Sequence, residues 1–161
     1  MAEPAEAHSP LTIHHSQFMK YYSLNKQSPD VDFKEATIKG QAPDKGLYFP
    51  HTIPVHEKAF FDNIEQYSNE DIAFRLIQPY VAGTIPDETL HSIVKETINF
   101  PIPLVPVNEQ ISSLELFHGP TLAFKDVGAR FMSRCLGHFA HERSEKVVVL
   151  VATSGDTGGA V

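Results

Sequence analysis

The chain has 161 residues, 42% of them hydrophobic, which is enough to bury a core. Its formal net charge of −7 argues against nucleic acid and against anionic membrane surfaces as partners, since both favour basic faces. One cysteine, Cys135, excludes an internal disulfide framework and fits a reducing cytoplasm, and no apolar run is long enough to span a bilayer.

Residues 1–18, MAEPAEAHSPLTIHHSQF, lack the basic start and apolar centre of a signal peptide. They are expected to be a disordered leader. No metal site is expected at His14 and His15, because two adjacent histidines need further converging ligands. From Met19 the pattern becomes globular. Residues 20–24 read as a strand. Residues 32–39, DFKEATIK, read as a helix capped by Asp32 and ended by Gly40. A short strand is expected within residues 42–50 and a helix over 56–67. A further helix covers 69–77, with Asn69 as its cap, Ile72, Leu76 and Ile77 facing inward, and Pro79 ending or kinking it. Pro86 opens another helix, acidic at Asp87 and Glu88 and apolar at Leu90, Ile93 and Val94.

Pro101, Pro103 and Pro106 then impose an extended connection. The change of rhythm places a boundary near Phe100, separating residues 19–100 from 101–161. A strand is expected at 114–117. A helix is expected at 126–141, with Val127, Phe131, Met132, Cys135, Leu136 and Phe139 as a broad apolar stripe. The β-branched run KVVVLVA at 146–152 has the composition of a strand buried on both faces. Strand, helix, strand in that order is a parallel crossover unit, and the fold class is α/β: a mixed N-terminal region followed by the start of a second unit.

Two motifs carry chemistry. The first is ELFHGPTLAFKDVGARFM at 115–132, with Lys125 at the start of the expected helix. The helix dipole and the apolar neighbours Leu122, Ala123 and Phe124 both favour the neutral amine, the form that attacks an aldehyde. A solvated lysine paired with Asp126 is the competing reading of the same residues. The second motif is ATSGDTGGAV at 152–161. Gly155, Gly158 and Gly159 allow a tight turn into a helix, and the amides and hydroxyls of Thr153, Ser154 and Thr157 suit an anion. Asp156 would repel an anion, so it fits a cap or a contact to a protonated group. An ordinary strand-to-helix turn explains the glycines equally well. His118 fits either an anion or the loop backbone, Cys135 reads as inert core, and Arg130 and Arg134 read as a solvated face.

Taken together, and with MKYYSLNK at residue 19 and GLYFPHTIP at residue 46, the two motifs resemble the threonine synthase family. That family lies within the tryptophan synthase β-like group of pyridoxal-phosphate enzymes. The resemblance implies a two-lobed α/β fold with pyridoxal 5'-phosphate in the cleft. It implies that Lys125 holds the cofactor as a Schiff base and shuttles protons, that Phe124 borders the cofactor, and that Asp156 lies near its ring. Thr153, Ser154, Gly155, Asp156 and Thr157 would hold the substrate carboxylate. The implied reaction converts O-phospho-L-homoserine and water to L-threonine and phosphate, in the cytoplasm. The family's later cofactor-phosphate loop is not present in these residues, so the chain is expected to be an N-terminal fragment, inactive alone and prone to self-association through the apolar strand 146–152. A phospho-lyase acting on a related phosphorylated amino acid and a non-enzymatic folding or interaction module are the alternatives.

Overall fold

Three helices meet to form the core, and their apolar spacing dictates which faces they bury. The computed structural model describes residues 18–141 and 148–161. Helix α3 spans Asn69–Val81, α4 spans Asp87–Thr97 and α5 spans Lys125–Ala140. Val81, Ile85, Leu90, Ile93, Val94, Cys135 and Phe139 form one buried cluster, with Phe33, Ala73, Phe74, Ile77 and Phe131 packed around it. The α4 positions Leu90, Ile93 and Val94 recur at helical spacing and are all buried, as the sequence pattern requires. Leu76, expected inward, is 39% exposed; Ala73 and Phe74 take the inner face instead.

The smaller elements frame this core. Strand β1 (Tyr21–Ser23) pairs antiparallel with β2 (Tyr48–Pro50), and Tyr21 also bridges to Val31. The Tyr21 hydroxyl donates to the Tyr80 carbonyl at 2.7 Å, satisfying one of the last, otherwise orphaned carbonyls of α3. Helix α1 (Phe33–Lys39) begins as expected: the Asp32 carboxylate accepts the Glu35 amide at 2.8 Å, and Gly40 ends the helix at φ 66°. Strands β3 (Leu104–Pro106) and β4 (Ser112–Leu114) form a second antiparallel hairpin.

Several expectations shift. The helix expected at 56–67 divides into α2 (Lys58–Asp62) and a 3₁₀ turn (Ile64–Gln66), parted at Asn63, whose φ is −116°. Ser68, not Asn69, caps α3. Its hydroxyl accepts the Asp71 amide at 3.1 Å and donates to the Asp71 carboxylate at 2.7 Å, a reciprocal arrangement that Asn69 is placed one residue too late to make. Helix α3 also runs through Pro79 to Val81. Only one backbone bond is lost so near the end, and burial of Val81 offsets it. The strand expected at 114–117 lies earlier, at Ser112–Leu114, because Glu115 makes the final bond to the Pro103 carbonyl and Pro103 has no amide to return. Of the strand expected at 146–152, residues 146 and 147 lie outside the described residues. Residues 148–152 form no strand, and Leu150 is 91% exposed. Among the described residues the strands pair only within the two hairpins, and none pairs with this run.

Candidate active site

Lys125 is the first residue of α5, and Asp156 is the first residue of a short helix, α6 (Asp156–Ala160). Packing of α6 against α5 brings the two together. The Lys125 amine donates to Asp156 Oδ2 at 3.1 Å and lies 4.0 Å from the centroid of the Phe124 ring, so aromatic face and carboxylate flank one cation. This hydrogen bond, with a further one from the Thr157 amide, holds the Asp156 carboxyl below the usual carboxylate range.

The turn before α6 is shaped as its glycines suggest. Gly155 has φ 133°, a conformation that side chains oppose, and its amide donates to Thr153 Oγ1 at 3.2 Å. The Ser154 hydroxyl lies 3.4 Å from Asp156 Oδ1. A Cβ at Gly158 would come within 2.6 Å of the Thr153 methyl, so this glycine permits the close fold of the turn. Lys125, Phe124, Thr153, Ser154, Gly155, Asp156 and Thr157 therefore gather at the adjoining starts of α5 and α6.

The surroundings differ from a desolvated pocket. The Lys125 side chain is 35% exposed and ion-paired, and Phe124 is 57% exposed. Lys125 does not pair with its neighbour Asp126. That carboxyl points away, is fully buried, and is met by Thr121. Two surface hollows, one beside Lys95 and Asn99 and one beside Tyr22 and His51, lie elsewhere.

Other singled-out residues find definite partners. His118 Nε2 is 2.7 Å from Glu115 Oε2, a side chain rather than the loop backbone. Burial raises the Cys135 thiol to about 12, as an inert core position requires. Arg130 and Arg134 are not a free solvated face. Arg130 donates to the Thr97 and Glu96 carbonyls and, at 2.9 Å, to Asn99 Oδ1, and Arg134 pairs with Glu96 at 2.8 Å. Together they close the C-terminal end of α4, where carbonyls lack helical partners and positive charge is favoured.

This fold positions an amine-bearing helix start against a glycine-rich turn in a mixed α/β frame. Residues 20–98 match the family described as threonine synthase N terminus. The chain is 38% identical over 143 residues to threonine synthase of Escherichia coli (strain K12), covering 89% of this chain and 33% of that protein. The solved threonine synthase structure from E. coli superposes with a TM-score of 0.81 at 37% identity, over 88% of this chain and 33% of that one. The PLP-bound threonine synthase from Brucella melitensis gives a TM-score of 0.82 at 36% identity, over 88% and 32%. The chain thus spans about a third of the length of the curated relatives it matches.

Proposed function

We propose that these residues are the N-terminal part of a pyridoxal-phosphate-dependent threonine synthase, a lyase of amino-acid biosynthesis acting in the cytoplasm. In this reading residues 19–100 are its N-terminal domain and residues 101–161 begin the catalytic domain. The reaction takes O-phospho-L-homoserine and water to L-threonine and phosphate. The observation that carries the reading is the approach of Lys125 to Asp156 at 3.1 Å, joining the two motifs in one place.

The residues suit the cofactor. Lys125 offers a primary amine reachable from solvent, Phe124 an aromatic face beside it, and Asp156 a carboxylate that pairs with a cation. Bound there, pyridoxal phosphate supplies a ring that accepts electrons from the substrate carbon bearing the amine. Lys125 would hold the cofactor through its aldehyde, and its Nζ would serve to hold or move a proton. Asp156 orients that amine. The amides and hydroxyls of Thr153, Ser154, Gly155 and Thr157 would hold the substrate carboxylate, the Gly155 and Thr157 amides giving up their present bonds to Thr153 Oγ1 and the Asp156 carboxylate.

The 161 residues by themselves are expected to bind the cofactor weakly and to turn over no substrate. Phe124 and the turn at 153–156 lie open to solvent, so among the described residues nothing excludes water there. The exposed side chains of Val148, Val149, Leu150 and Val151 support self-association of this piece. The test is made on the protein at its natural length. Borohydride fixation of pyridoxal phosphate to Lys125, read by peptide mass mapping, together with phosphate release from O-phosphohomoserine, is expected. A protein that releases no phosphate and is labelled elsewhere would overturn the assignment.

A further inference from the structure

Asp126 is fully buried, one residue beyond Lys125. A carboxyl group is costly to bury without partners, and here both partners come from one residue. The Thr121 amide donates to Oδ2 at 2.9 Å and the Thr121 hydroxyl donates to Oδ1 at 2.6 Å. Asp126 also sits in the first turn of α5, where the helix dipole favours negative charge. Gly119 is buried against it, and a Cβ there would fall 2.4 Å from Oδ2.

The segment between these groups needs holding. Leu122 has φ 58°, a left-handed conformation that a branched side chain opposes, and its side chain is 76% exposed, so packing does little to fix it. Phe124, at the cap position of α5, makes no side-chain cap bond. The ordinary means of setting the entry of a helix is missing. What closes the turn is the clasp of Asp126 on Thr121, with Leu122 N to Gly119 O at 3.1 Å and Asp126 N to Ala123 O at 3.0 Å inside it.

We propose that Asp126 is a positioning residue for Lys125. By gripping Thr121 it fixes the 119–124 turn and the first turn of α5, and so presents the Lys125 amine on the side facing Asp156. The inference rests on the reading of Lys125 as the cofactor lysine, and Asp126 itself takes no part in bond making.

The test uses the protein at its natural length and the variants Asp126→Asn, Thr121→Val and Thr121→Ser. Asparagine keeps the volume but turns one acceptor into a donor facing a donor. Valine exchanges the hydroxyl for a methyl of similar size, and serine keeps the hydroxyl without the methyl. The probe is pyridoxal phosphate, and the readout is the rate at which borohydride fixes it to Lys125, measured beside thermal melting and the separate kcat and KM for O-phosphohomoserine. Folded Asp126→Asn is expected to label roughly tenfold to a hundredfold more slowly, the scale of a misplaced reacting group. Thr121→Val should follow in the same direction, Thr121→Ser should match the wild type, and the loss should appear in kcat rather than KM. If Asp126→Asn fails to fold, Thr121→Val decides. Wild-type labelling rates in the folded variants, or losses that only track the unfolded fraction, would overturn the inference while leaving the functional reading intact. Absence of labelling at Lys125 in the wild type would remove both.

Discussion

Lys125 Nζ and Asp156 Oδ2 stand 3.1 Å apart across 31 residues of chain. Each belongs to a different motif, and each is partly exposed, so the pair adds little to stability. Its importance is placement. The pair superimposes two sequence signals that, read separately, an ordinary surface lysine and an ordinary tight turn would also explain.

Replacing Lys125 with alanine in the protein at its natural length should therefore abolish both the absorbance of bound pyridoxal phosphate and turnover, with the fold intact. Absorbance spectra, phosphate release and a melting curve on one preparation check this. Normal turnover would end the assignment.

Asp44 gives a pH dependence. The Ser23 hydroxyl at 2.6 Å, then the Gly46 and Gln27 amides, hold its carboxyl down to about 2. A depressed carboxyl stabilises the fold above the unfolded value of about 3.9, and that contribution is lost as pH falls from there through about 2. Urea unfolding between these limits should show wild-type stability falling more steeply than that of Asp44→Asn. Parallel slopes would show that Asp44 is not the group responsible.

Arg130→Ala should unfold more readily by about 1.5–3 kcal/mol, the range for hydrogen bonds made by a charged group. It would leave the Thr97 and Glu96 carbonyls and the Asn99 side chain without this donor. Arg130→Lys should recover only part of the loss, because a single ammonium does not reproduce the guanidinium fork. Denaturant titration of the three proteins checks both statements.

Phe139→Ala should cost about 3–5 kcal/mol, as for other large cavities in a core. Phe139 is 1% exposed and meets Phe33 edge-on with ring centroids 6.2 Å apart. A change under about 1 kcal/mol would mean that the α1–α5 contact is loose.

Periodicity made α1 and α5 legible almost to the residue, and the start and buried face of α4, because these signals lie within one local stretch. Asp32 and Gly40 announced themselves by type. The Ser68 cap was missed because Ser68 and Asn69 are both good caps, and only the reciprocal bond to Asp71 separates them. The run at 148–152 carries strand-forming residues, but strand structure needs a neighbour, and composition does not supply one. Arg130 and Arg134 looked solvated because their acceptors are backbone carbonyls and a side chain more than thirty residues away. Asp126 had one signal within reach, a threonine five positions earlier, masked by the more conspicuous lysine beside it.

Cys135 and Phe139 share their cluster with Leu90 and Ile93, while the opposite end of the same α5 carries Lys125. The helix is thus common property of the reactive end and of the N-terminal layer. Free energy gained by a ligand at Lys125 is free energy that must be surrendered before α3 and α4 can separate from α5. Reciprocally, a substitution at Val81 or Leu90 that populates the separated state lowers the apparent affinity of such a ligand by the fraction of folded protein lost. The α3–α4 layer is then less a passenger than a ballast for the helix that carries Lys125.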